Sequence, residues 1–238
     1  MSSSSSSSSS SRGELKQQMF FTDGAAKGNQ FAKLTYCGWG VWNSTIKEGY
    51  SGVLDSNSSN IQAEGTAILH ALTHANNGDI IYTDSEFWIN MITTFMPKWY
   101  EEGLDEWKEK NNFVSKTNPN GKNIEDFTLS NFVEHDIYAR FNKQKNPILT
   151  KTIYKLTRKD DIIDKIRKHI IGVKYKPRID KSKVQLLFVP AWHGSIKRPN
   201  PKPTSKDKLF LWEGNKKAEE LAESHMQKQS VVYKKKSK

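Results

Sequence analysis

From Lys16 onward, apolar and polar positions fall into short runs whose period changes along the chain. Met19-Phe20-Phe21-Thr22 is a compact apolar run closed by Asp23-Gly24, which predicts a short buried strand ending in a turn. After a polar loop over 27–30, residues 36–42 alternate glycine with bulky side chains and predict a second strand. Residues 48–54 predict a third, and the short spacing makes the three an antiparallel meander. The period then lengthens. Ile61, Glu64, Ile68, Leu69 and Leu72 lie near helical spacing, with Asn60 as candidate cap and Gly78 as stop. Residues 79–83 predict the next strand, and Asp84-Ser85 caps a helix carrying Phe87, Trp88, Met91 and Ile92.

Farther along, helices are expected over 100–109 and 124–141, and an amphipathic one from Asp160 to Ile171 with Lys165, Arg167 and Lys168 on its polar side. Residues 184–189 form an apolar strand stopped by Pro190. Pro199, Pro201 and Pro203 make 194–207 irregular. A last helix is expected from about Trp212 through Ala222. A strand–helix–strand–helix series after a three-strand meander predicts an α/β protein, a mixed sheet covered by helices.

Composition narrows the partners. The 238 residues carry 37 Lys+Arg against 26 Asp+Glu, a net charge of +11, which favours phosphate-rich partners through Coulomb attraction and counterion release. No apolar run approaches the ~20 residues of a membrane-spanning helix. The serines at 2–11 lack the apolar core of a secretory signal. A single cysteine, Cys37, excludes a disulfide framework and a multi-cysteine zinc site and agrees with a reducing compartment. The expectation is an intracellular protein, in cytoplasm or nucleus. Residues 1–15 should be a disordered serine-rich tail, 16–225 the folded domain and 226–238 a basic tail. A helical insertion is expected at about 143–180 and a long loop at about 194–211.

The chemistry lies in acidic residues of this basic chain. Asp23 and Asp84 end predicted strands, Glu64 is one turn into the first helix, and Glu219 is in the last helix. If the first and fourth strands are neighbours, Asp23 and Asp84 arrive side by side, and Glu64 can meet them. Such a cluster is repulsive without divalent cations, and hard oxygen donors without Cys or His select Mg²⁺ or Mn²⁺. Singly, each acid has a plainer explanation: a turn residue, a helix cap, a solvated side chain.

Taken together, Phe21-Thr22-Asp23-Gly24, Gly38-Trp39-Gly40-Val41, Asn60-Ile61-Gln62-Ala63-Glu64, Ile81-Tyr82-Thr83-Asp84-Ser85, Val189-Pro190-Ala191-Trp192-His193 and Gly214-Asn215-Lys216-Lys217-Ala218-Glu219-Glu220-Leu221-Ala222 resemble, in family order, ribonuclease H of the type 1 class. The resemblance implies a five-stranded mixed sheet, three antiparallel strands then two parallel, flanked by helices. It implies an endonuclease cutting the RNA strand of RNA–DNA hybrids, leaving 5′-phosphate and 3′-hydroxyl ends. Two Mg²⁺ ions, replaceable by Mn²⁺, would be held by Asp23, Glu64, Asp84 and Glu219. The family usually has Asp where Glu219 stands. His193 matches a mobile histidine assisting proton transfer or product release; an extra residue precedes it, and a longer segment separates it from Glu219. Asn60 matches a residue touching the RNA strand. Ser59 matches a small hydroxyl residue at a DNA phosphate, and Asn123 matches the other residue of that phosphate pocket, with Asn146 competing for the second alignment. The implied enzyme is a monomer with no obligate protein partner.

Other patterns have competing readings. His70 and His74 are four apart on a helix, a metal-ligand spacing, but a polar helix face explains them as well. Trp99 and Trp107 beside Lys98, Lys108 and Lys110 suit either a basic, aromatic grip on DNA or core packing. The basic residues over 143–178 suit either an extended duplex-binding face or a solvated excursion. The rival functions are an integrase, transposase or detached reverse-transcriptase domain on the same scaffold, and a hybrid- or duplex-binding module that has lost catalysis. The helix around Glu219 favours ribonuclease H over integrases, and no polymerase segment is read in these residues.

Overall fold

A computed structural model describes residues 16–29, 34–126, 128, 132–159, 161–172, 175–191, 194–195, 198–199 and 201–236, with side chains undescribed at 29, 34–35, 194–195, 198–199 and 228–236. The serine-rich segment expected to be disordered lies outside them, as does His193.

The centre is a five-stranded sheet in the order β3-β2-β1-β4-β5. Its members are β1 Met19–Asn29, β2 Leu34–Asn43, β3 Glu48–Val53, β4 Ile80–Thr83 and β5 Gln185–Phe188. The first three are antiparallel, while β4 runs parallel to β1 and β5 parallel to β4. This is the mixed sheet expected from the sequence. A two-stranded ribbon, β6 Gly194–Ser195 with β7 Arg198–Pro199, breaks the segment expected to be irregular.

Strand β1 is far longer than its apolar run. Asp23-Gly24 does not turn the chain, because β2 supplies a ladder partner for every residue from Phe20 to Asn29, with Asp23 opposite Gly40. The two faces of β1 meet different helices. Phe20 joins the main apolar core with Ala67 and Ile68 of helix α1, Asn60–His74. Phe21 stacks on Tyr82 at 4.8 Å and meets Phe210 of helix α8, Lys206–Lys236, edge-on at 5.5 Å.

Glycine sets the depth at which both helices sit. A Cβ at Gly40 would fall 2.2 Å from the Ala218 carbonyl oxygen, so α8 rests its backbone on β2. A Cβ at Gly24 would fall 2.3 Å from the Glu64 nitrogen, so α1 crosses β1 at contact distance beside Asp23.

The cap of α1 is Ser59, not Asn60. Its hydroxyl accepts from the Gln62 N–H at 3.2 Å, and the Gln62 side-chain Oε1 accepts from the Ser59 N–H at 2.8 Å, a reciprocal pair that Asn60 is one position too late to make. Helix α2, Glu86–Asn90, starts at the expected cap Ser85 and runs through a π-helical turn, Met91–Phe95, into α3, Met96–Lys110. Pro97 near the start of α3 has no N–H to donate, and the Met96 N–H reaches back to the Met91 carbonyl.

The stretch expected as one helix over 124–141 is broken into a 3₁₀ turn, Ile124–Asp126, and two short helices, α4 Glu134–Ile137 and α5 Ala139–Asn142. Helices α6, Pro147–Thr157, and α7, Ile162–Ile171, lie within residues 143–180. Trp107 is buried against Phe113 and Phe132, and Trp99 packs edge-on to Phe141, so both tryptophans are packing residues. A buried polar knot holds α7 to α6. Arg158 pairs with Asp161, whose Oδ1 accepts from the Tyr100 hydroxyl at 2.8 Å, and Arg178 reaches Asp164 at 3.0 Å.

Helix α8 begins at Lys206 and extends to Lys236, so it takes in residues expected as loop before Trp212 and as tail after 225. Among the described residues, no helix is long and apolar enough to cross a membrane.

Candidate active site

The parallel register fixes two of the acids. Thr22 of β1 pairs with Thr83 of β4, so the next residues, Asp23 and Asp84, emerge at the same end of adjacent strands. Glu64 comes from α1 where it crosses Gly24, and Glu219 from α8 one residue past the contact at Gly40. All four line one open pocket of about 440 Å³, with Asn60, Ala191, Glu223 and Met226 also on its wall. Each acid is half-buried, neither sealed in the core nor splayed into solvent.

Hydrogen bonds orient the set. The Asn60 amide donates to Glu64 Oε1 at 2.6 Å, and the Ser85 hydroxyl donates to Glu64 Oε2 at 2.5 Å. Asp23 Oδ1 accepts from the Gly24 N–H at 2.7 Å. The buried Asn215 amide approaches Asp84 Oδ2 at 3.5 Å.

The electrostatics follow from crowding. Burial, then the charge of Asp84, push the Asp23 carboxyl well above its usual range, with Glu219 and Glu64 adding to the rise and the Gly24 N–H opposing it. Glu64 is also raised, by burial first and by Asp84, against the opposing Ser85 hydrogen bond. A pocket that resists its own negative charge is suited to cations. Its donors are carboxylate oxygens, which fits Mg²⁺ or Mn²⁺ and not a soft metal. Among the described residues, no three His, Cys, Asp or Glu side chains are gathered into a ready-made metal shell. Both oxygens of Glu64 are instead engaged by Asn60 and Ser85.

The other candidate residues lie apart. Ser59 caps α1 and lies outside the pocket wall. Asn123 is exposed at the 3₁₀ turn, where its N–H donates to Asp126 at 2.7 Å. Four residues at the site were given no role from the sequence: Ser85, Asn215, Glu223 and Met226. Glu223 was findable, since it follows Glu219 by one helical turn on the same face. His70 and His74 pack against Tyr50 on the far stretch of α1, with 4.4 Å between the histidine rings, and form an aromatic contact.

The chain is an α/β protein whose mixed sheet carries Asp23 and Asp84 on adjacent parallel strands where their pairing ends, with Glu64 and Glu219 brought in by helices on either face. The model of the RNase H family matches residues 15–227, and the chain belongs to that family. Among solved structures, a foamy viral protease-reverse transcriptase in complex with dsDNA is similar, with 19% identity over 88% of this chain and 93% of that one and a TM-score of 0.40. No curated protein matches.

Proposed function

We propose that the protein hydrolyses the RNA strand of RNA–DNA hybrids, leaving 5′-phosphate and 3′-hydroxyl ends. The observation that carries this reading is the convergence of Asp23, Glu64, Asp84 and Glu219 on one pocket in a member of the RNase H family. The four carboxylates would hold two Mg²⁺ ions, with Mn²⁺ as substitute. Bound there, the ions would supply a nucleophilic water at neutral pH and stabilise charge on the departing 3′-oxygen.

The chain's own residues do the rest. Asp23 and Glu64, reluctant to ionise when bare, are charged when cations compensate them, so binding and ionisation are coupled. Ser85 and Asn60 hold Glu64 by its two oxygens and set its orientation. Asn60 lines the pocket and would read a 2′-hydroxyl of the RNA strand. Ser59 accepts a backbone N–H through its oxygen and keeps its own O–H to give to a DNA phosphate. Asn123 would serve the same strand, and His193 proton transfer or product release. Contacts of this kind carry no base information, so cleavage is nearly independent of sequence.

The test is a labelled RNA–DNA hybrid incubated with the full chain in Mg²⁺ and then with EDTA. Fragments with 3′-hydroxyl ends that vanish under chelation are expected. A hybrid that shifts in a gel yet stays whole would make the protein a binding module instead.

A further inference from the structure

A second cavity, of about 760 Å³, lies between the sheet side of α1 and the inserted helices, and it shares no lining residue with the carboxylate pocket. Its size is within the range of small-molecule sites. Ile68, Leu72, Ile81 and Leu186 form an apolar wall on the side of the sheet. Arg158, Lys159, Lys165 and Lys181 also line the cavity, with Lys108 on α3, and Glu101 is the sole carboxylate lining it among the described residues. Lys181 donates to the Ala75 carbonyl and Lys108 lies 3.8 Å from Asp105, which leaves Lys159 and Lys165 as the outward charges.

Arg158 is not the source of this charge. It is 5% exposed, and its guanidinium pairs with Asp161, lies 3.9 Å from Asp164 and donates to the Tyr138 hydroxyl, so it is compensated within the fold. Lys159 and Lys165 are exposed, where their charges attract an anion without the cost of burial. An apolar wall beside basic side chains selects a ligand with the same asymmetry.

We propose that this cavity binds an amphipathic anion, a carboxylate or phosphate carried on an apolar body. The apolar part lies against Ile68, Leu72 and Leu186, and the anionic head faces Lys159 and Lys165. The inserted helices then do more than decorate the fold: they supply the basic half of a binding site.

The test is isothermal titration of the full chain at ~0.1 M salt with octanoate, octyl phosphate, octan-1-ol and inorganic phosphate. Octanoate or octyl phosphate is expected to bind one per chain, at least tenfold more tightly than octanol or inorganic phosphate. Whichever anion binds better assigns the head group as carboxylate or phosphate ester. Lys159→Ala with Lys165→Ala should weaken the anions at least fivefold and leave octanol unchanged. Ile92→Trp, which fills the cavity from its half-buried wall, should abolish binding of both anions, and the lysine pair carries the test if that variant fails to fold. Equal binding of octanol and the anions, no binding at all, or binding unmoved by the lysine pair would overturn the proposal.

Discussion

Asn215 Nδ2 lies 3.5 Å from Asp84 Oδ2, a contact between residues 131 positions apart that ties α8 to the end of β4. Asn215 is 1% exposed, and its Oδ1 is buried without a hydrogen-bond partner among the described residues. The folded state therefore carries an unsatisfied acceptor so that a donor can face Asp84. Asn215→Leu should leave the melting temperature unchanged or raise it, since an orphaned buried acceptor costs about 1–3 kcal/mol. Hybrid cleavage should fall about tenfold, the effect of ~1.4 kcal/mol on the barrier. Single-turnover rates beside thermal melts check both halves, and wild-type cleavage would remove Asn215 from the site.

Asp84→Asn keeps the shape of the side chain and deletes its charge. Cleavage in Mg²⁺ should drop by at least ~10²–10³-fold, the scale of losing one charge-stabilising group. Affinity for the hybrid should hold or rise, because one negative charge fewer faces the phosphates. A filter-binding curve and a cleavage time course on the same preparation separate the two effects.

Asp23 predicts a pH dependence in the absence of metal. Its folded pKa is raised, so between the unfolded and folded values the native state binds more protons, and stability falls as pH rises through that window. In EDTA, Asp23→Asn should melt higher than wild type at pH 7 to 8, and the difference should shrink as pH falls toward the ordinary carboxylate range. Each kcal/mol recovered corresponds to ~2–4 °C for a chain of this size. A difference that grows on acidification would contradict the assignment.

Ser85 acts on Glu64 with the opposite sign. Its hydroxyl lowers the Glu64 pKa, so Ser85→Ala should raise it and move the acid limb of the pH–rate profile to higher pH. The same hydroxyl caps α2, and its loss should cost ~1 kcal/mol of stability. Ser85→Thr, which keeps the oxygen, should restore the profile.

Gly40→Val tests the seat of α8. The added carbons would press on the Ala218 carbonyl, and overpacking of this kind costs ~1–3 kcal/mol. Cleavage should fall as well, because Glu219 is the next residue. Denaturant unfolding alongside an activity assay measures both.

The four acids were legible as candidates from their motifs, whereas the adjacency of the first and fourth strands was only a condition until the parallel pairing of Thr22 with Thr83 put Asp23 beside Asp84. Other features depended on partners distant in sequence. Asp23-Gly24 has the composition of a turn, but the glycines of β2 accept the strand and draw it on to Asn29. Gly214 and Asn215 weaken a helix locally, which made Trp212 look like its beginning. In the structure they are interior, Gly214 leaving room for the Phe21 ring and Asn215 facing Asp84. The 124–141 stretch has helix-forming residues, but its short helices are held by tertiary contacts, such as Arg140 with Glu106 at 2.7 Å.

The fourth carboxylate rides on the last helix, which closes the sheet only by lying on β2 and β1. During synthesis the amino-terminal strands emerge first, and the pocket is incomplete until α8 has left the ribosome and docked. The pocket that gathers all four carboxylates is therefore acquired only in the closing step of folding.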